Sequence, residues 1–198
     1  ITTTSFSDVS LQLEQYGLEP QNDYIVSPIL NDLRVIDELE SIETKLFFSS
    51  GSPKQDNPQY GGGIYELTVD GDEWYHKKKI SGNCYGITKF NDNYVALDTD
   101  RGIIEFDEQF KIVRQSELPK GSRAHGIDYS TERENFFIVC SYSDSVLTLD
   151  KDFKILNQIS ISNKHKKFGK PFHHCNDCCV WEDSLFVSMF SQTGNWKL

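Results

Sequence analysis

Residues 93–113 read NYVALDTDRGIIEFDEQFKIV, and residues 136–156 read FFIVCSYSDSVLTLDKDFKIL. A shift of 43 positions lays one on the other without a gap. The second half of the match is the closer. Asp107, Phe110, Lys111 and Ile112 recur as Asp150, Phe153, Lys154 and Ile155, and the apolar positions between them stay apolar. A period of this length in a chain with strand patterning predicts the blades of a β-propeller.

Each copy reads as three strands. Residues 94–97 are a short continuous apolar run, as expected for a strand covered on both faces. Residues 103–106 and 110–114 follow, with a polar hairpin turn at Asp107, Glu108 and Gln109. A further strand precedes each copy: CYGITKF at 84–90 and AHGIDY at 124–129. Their shared Gly-Ile lies 40 residues apart, so the later copy carries three extra residues downstream of it. The count is four strands per blade, A to D, with A innermost.

Working outward, the first blade is expected at 31–80, the second at 82–118, the third at 121–161, and an incomplete fourth at 174–198. Residues 1–22 read as an N-terminal extension with a short helix within 7–17. A strand at 23–29 is the candidate that closes the ring. The fold class is therefore all-β, about three and a half four-stranded blades, a fragment of a six-bladed ring.

Composition narrows the function classes. The chain has 198 residues, a formal net charge of −10 and 13% aromatic residues. That charge argues against nucleic-acid binding, which needs a basic footprint. No apolar run approaches the roughly 20 residues of a membrane span. The sequence opens on Ile1 rather than Met, and no signal peptide is expected within it. Three of the five cysteines crowd into Cys175, Cys178 and Cys179. That is no disulfide framework, and free thiols in the cytoplasm are the expectation.

At the openings of the A strands, Cys84-Tyr85-Gly86-Ile87, Ala124-His125-Gly126-Ile127 and His174-Cys175-Asn176-Asp177, the chain resembles six-bladed propellers. The group includes gluconolactonases, strictosidine-synthase-like proteins and NHL-repeat proteins. Residues 171–191 look most like an uncharacterised bacterial propeller family. Gluconolactonase-like members hold a divalent cation, calcium or magnesium, in the central channel. The resemblance implies Asp32, Asn176 and Asp177 as its ligands here.

Propeller geometry brings the D-to-A and B-to-C loops to one face. On it fall Tyr85, Arg123, His125, His173, His174 and Asn176, the candidate ligand-binding residues. His125 is also the candidate general acid or base; the competing reading is a histidine bonded to the next blade's backbone. The cluster of residues 173–179 is rich in metal-type side chains. An alternating strand, however, would put Cys175 and Cys179 on one side and Cys178 on the other, so buried core cysteines compete with zinc. Cys175 as a nucleophile competes with the same reading. Lys164, Lys166, Lys167 and Lys170 form a basic loop, read either as a collar for anions or as a solvated loop. The long loop at 50–62 would act as a lid.

Two functions follow. One is a binding module holding a small anionic or saccharide ligand in its funnel, serving a linked or partner enzyme. The other is a metal-assisted hydrolase or lyase of the lactonase kind.

Overall fold

The computed structural model describes residues 13–17, 43–52, 60–70, 73–161 and 172–191. Asp32, the expected closing strand, the inner strand expected at 32–36 and the basic loop around Lys166 lie outside these. Contacts divide the chain into residues 1–44 with 68–74, and residues 45–67 with 75–198. In the first unit Leu13–Gln15 form a single helical turn, where the amides of Tyr16 and Gly17 donate to Leu13 and Glu14 carbonyls.

The described residues hold thirteen strands in four antiparallel sheets. β1 (Glu43–Ser50), β2 (Gly63–Asp70) and β3 (Glu73–Ser81) form the first. β4 (Cys84–Phe90), β5 (Asn93–Asp98), β6 (Gly102–Phe106) and β7 (Ile112–Ser116) form the second. β8 (Ala124–Ser130), β9 (Asn135–Cys140), β10 (Ser145–Asp150) and β11 (Ile155–Ser160) form the third. β12 (Cys175–Trp181) pairs with β13 (Ser184–Met189). Each sheet is a meander in chain order, β4 packs on β8, and β8 packs on β12. This is the all-β arrangement of propeller blades.

The core lies between sheets rather than within one. Ile64 and Ile80 of the first sheet meet Ala96, Ile104 and Phe106 of the second. Val95, Leu97 and Ile103 meet Ile127, Phe136, Ile138, Leu147 and Leu149 of the third. Phe137, Val139 and Val146 meet Cys175 and Cys178. Successive residues of β5 and β9 thus face different layers, which is why residues 94–97 and 136–140 form unbroken apolar runs.

The faces show that the repeat is not gap-free. Ala96 and Ile138 are structural equivalents: they pair with Ile87 and Ile127, and both face the preceding blade. Their separation is 42. Ile104 and Leu147, their partners on the next strand, are 43 apart. The A-to-B turn has two residues at 91–92 but four at 131–134, and the B-to-C turn gains one more. Aligned at 43 throughout, β9 would be one residue out of register, with every side chain on the wrong face.

The Asp-x-x-Phe-Lys signature has a local cause. The Asp107 carboxylate accepts from the amides of Gln109 and Lys111, and that of Asp150 from Asp152 and Lys154. Phe110 and Phe153 stand in the left-handed region, at φ 63° and 64°. An aromatic residue rarely sits there. Its ring turns into the inter-sheet core, where Phe153 is buried. The turn therefore extends to Lys111, and β7 starts at Ile112 rather than Phe110.

Candidate functional site

All three described inner strands carry a bulge near their start. The ladder shifts between Tyr85 and Ile87, between Ala124 and Gly126, and between Cys175 and Asp177. A bulge re-aims the side chains beside it. Glycine then allows the strands to close up. A Cβ on Gly86 would stand 2.9 Å from the His125 carbonyl oxygen, and one on Gly126 would stand 2.6 Å from Asp177 Cα. The Gly-Ile repeat thus marks backbone-to-backbone contact between neighbouring blades.

That contact gathers the bulge residues of three blades. The Tyr85 ring stacks on His125, with centroids 4.6 Å apart and planes 8° from parallel. The Tyr85 hydroxyl donates to the Gly51 carbonyl at 3.0 Å. His125 Nδ1 lies 3.1 Å from Asn176 Oδ1. The ring of His174 meets His125 edge-on at 5.5 Å. Partial burial depresses the pKa of His174, and repulsion between the His174 and His125 rings when both are protonated, with Arg123 nearby, pushes the same way against the opposing pull of Asp144.

Beside this stack lies a cavity of about 600 Å³ between the second and third sheets. Tyr85, Arg123 and His125 line it, with the B-to-C turn at 98–102 and the D-to-A loop at 117–122. The exposed guanidinium of Arg123 lies over Tyr142, 4.4 Å from the ring centroid, and pairs with no carboxylate among the described residues. Arg101 is different. It bonds the buried Asp98 carboxylate at 2.8 Å and the Ser81 carbonyl at 2.8 Å. Burial alone would raise the Asp98 pKa, but Arg101 and the amides of Asp100 and Arg101 outweigh it and hold the carboxyl below its ordinary value.

Sequence reasoning missed Asp98, Arg101, Lys120 and Tyr142. The signal was the polar B-to-C turn, Thr99-Asp100-Arg101 against Ser141-Tyr142-Ser143-Asp144, read only as part of a repeat.

The remaining candidates fall elsewhere. His173 Nδ1 bonds the Ser191 carbonyl at 2.8 Å, and its amide donates to the Asp144 carboxylate at 3.0 Å, so it ties down the chain after β13. His174 and Asn176 touch His125 without lining the cavity. Asp177 sets its carboxylate against Gly126 and accepts from the Cys178 amide. Burial raises its pKa and Asp128 adds to this, against the pull of the Cys178 amide. Among the described residues no three His, Cys, Asp or Glu side chains gather closely enough to hold an ion. Of the three implied cation ligands, Asp32 lies outside the described residues, and the Asn176 oxygen lies within hydrogen-bond distance of His125.

The cysteines correct the alternation expected for the strand. The bulge at Asn176 puts Cys175 and Cys178 together in the core, while Cys179 is exposed. All five thiols are unpaired. Burial, with Asp144 nearby, pushes Cys175 up to about 12. A thiol shifted that way stays protonated at neutral pH, as a buried core cysteine does.

No family model matches the sequence, nor does any curated protein significantly. Solved structures do. A catalytically inactive virginiamycin B lyase from Staphylococcus aureus with quinupristin matches at 14% identity and TM-score 0.47, over 63% of this chain and 41% of its own. Glutaminyl cyclase from Myxococcus xanthus matches at 10% and 0.46, over 76% of this chain and 68% of its own. YCF48 bound to D1 peptide matches at 14% and 0.45, over 75% and 49%. The chain thus spans less than half the length of the lyase.

Proposed function

We propose that the chain is a β-propeller module holding a small polar ligand, anionic or saccharide, in the cavity between its second and third blades. The supporting observation is convergence. Residues as far apart as Asn83 and His125 line one concave space, with a stacked Tyr85–His125 pair and an Arg123 guanidinium that no described carboxylate neutralises. A pocket with a few oriented polar groups is the usual form of a small-molecule site. Asp98 cancels Arg101, which leaves Lys120 and Arg123 against Asp100 and Glu117 along the lining. The cavity is close to neutral in a chain of net charge −10, so acidic repulsion does not bar an anionic group there.

The test is thermal unfolding of the full chain against a panel of inorganic phosphate, sulfate, carboxylates and methyl pyranosides. A ligand of this cavity raises the melting temperature. Arg123→Ala removes the shift for anionic members, and added salt weakens it. A shift indifferent to substitutions at Tyr85, Arg123 and His125 alike overturns the reading.

A further inference from the structure

We propose that Asn176 is a positioning residue that fixes the tautomer of His125, so that the imidazole can only accept a hydrogen bond from a ligand in the cavity. The inference rests on the cavity reading above and adds which kind of ligand atom the site takes.

The amide oxygen of Asn176 has lone pairs and no proton. At 3.1 Å it can only accept, so the Nδ1 of a neutral His125 must be the donor. The second ring nitrogen, Nε2, then carries the lone pair. Among the described residues nothing is bonded to Nε2. The ring cannot easily turn to exchange its nitrogens, because it is held on three sides. Tyr85 stacks on one face at 4.6 Å, His174 meets it edge-on at 5.5 Å, and Asn176 holds Nδ1. Both partners in that hydrogen bond stand at strand bulges, His125 opposite the unbroken run of β9 and Asn176 opposite that of β13. The backbone thus fixes both ends of the bond.

The chemical consequence is selectivity. A fully ionised phosphate or sulfate oxygen brings a lone pair to a lone pair at Nε2 and gains nothing there. A hydroxyl donates to Nε2. The site therefore favours a ligand with a hydroxyl at this point, as on a pyranoside ring, over an anion that can only accept.

Two measurements on the full chain decide it. The first is the nitrogen-15 spectrum of the His125 ring near neutral pH, without ligand. Protonation at Nδ1 in the parent chain is expected. Asn176→Asp, which keeps the acceptor, preserves it, and Asn176→Leu loses it. Protonation at Nε2 in the parent, or an unchanged tautomer in Asn176→Leu, overturns the proposal. The second is binding of a methyl pyranoside against inorganic sulfate. Asn176→Leu weakens the pyranoside about fivefold, the scale of one hydrogen bond, and Asn176→Asp restores it. Equal loss for pyranoside and sulfate in Asn176→Leu also overturns it. Should neither probe bind the parent chain, the cavity reading falls for these ligands, and the ring spectrum still decides the tautomer.

Discussion

His174 is held neutral by its surroundings, and the sign of its effect on stability follows. The folded pKa lies below the ordinary histidine value of about 6.5. Just below that pH the unfolded chain takes up a proton that the folded chain refuses. Its contribution to stability is thus present above about 6.5 and is lost as pH falls through the window beneath. Thermal unfolding between pH 7.5 and 5 is expected to show a falling melting temperature. His174→Phe flattens that slope, and an unchanged slope in the variant would refute the assignment. Gly126 makes a second test at this scale. An alanine methyl there would clash with the Asp177 carboxylate and sit 2.6 Å from its Cα. One of these is backbone, so the inner strands must part. Gly126→Ala is expected to cost about 3 kcal/mol, the upper range for overpacking, read by urea denaturation.

The hairpin turns carry the element-scale prediction. Asp107 and Asp150 each satisfy two backbone amides that would otherwise face solvent. Asp107→Ala and Asp150→Ala should each cost about 1 kcal/mol, and the corresponding Asn variants much less, since an amide oxygen can serve the same turn. Equal losses for Ala and Asn would point to charge rather than turn geometry. These turns also show what could be read from residues alone. The Asp, Phe and Lys of the repeat were visible because turn chemistry is local. The register of β9 was not, because two loop insertions before it and one after shift the alignment, and both alignments keep the strand apolar. The Cys175–Cys178 side was misread for a related reason: a bulge at Asn176 breaks the two-residue alternation, and nothing in the residue types announces it. Tyr85, His125 and Asn176 could be placed at strand openings, but their stacking and hydrogen bond depend on how closely glycine lets the strands approach.

At the scale of the whole molecule, neighbouring blades are joined by apolar layers and by a few polar ties. Asp128 reaches both ways, accepting from the Thr88 hydroxyl at 2.9 Å and from the Val180 amide at 2.7 Å, so one carboxylate links three inner strands. Farther out, Arg114 pairs with the buried Glu105 at 2.7 Å, donates to the Lys151 carbonyl, and lies 3.9 Å over the Phe153 ring. It clamps the second blade to the turn of the third. Arg114→Ala leaves Glu105 buried without its cation and should cost about 2 kcal/mol. Arg114→Lys should recover little of it, because an ammonium cannot make the forked contact and the ring stack together. Full recovery by lysine in chemical denaturation would show that charge alone matters.

The changing offset between the second and third blades also bears on engineering. Consensus repeats are built by averaging aligned copies, and a gap-free average here would merge Val95 with Ile138, residues that point in opposite directions around the ring. The resulting sequence would look well conserved in hydrophobicity, yet each side chain taken from β9 would be assigned to the layer opposite the one it fills in its parent blade. A consensus blade anchored on Gly86 and Gly126, with the loops trimmed to a common length, would keep each side chain in its own layer and should assemble into arrays that the averaged one would not.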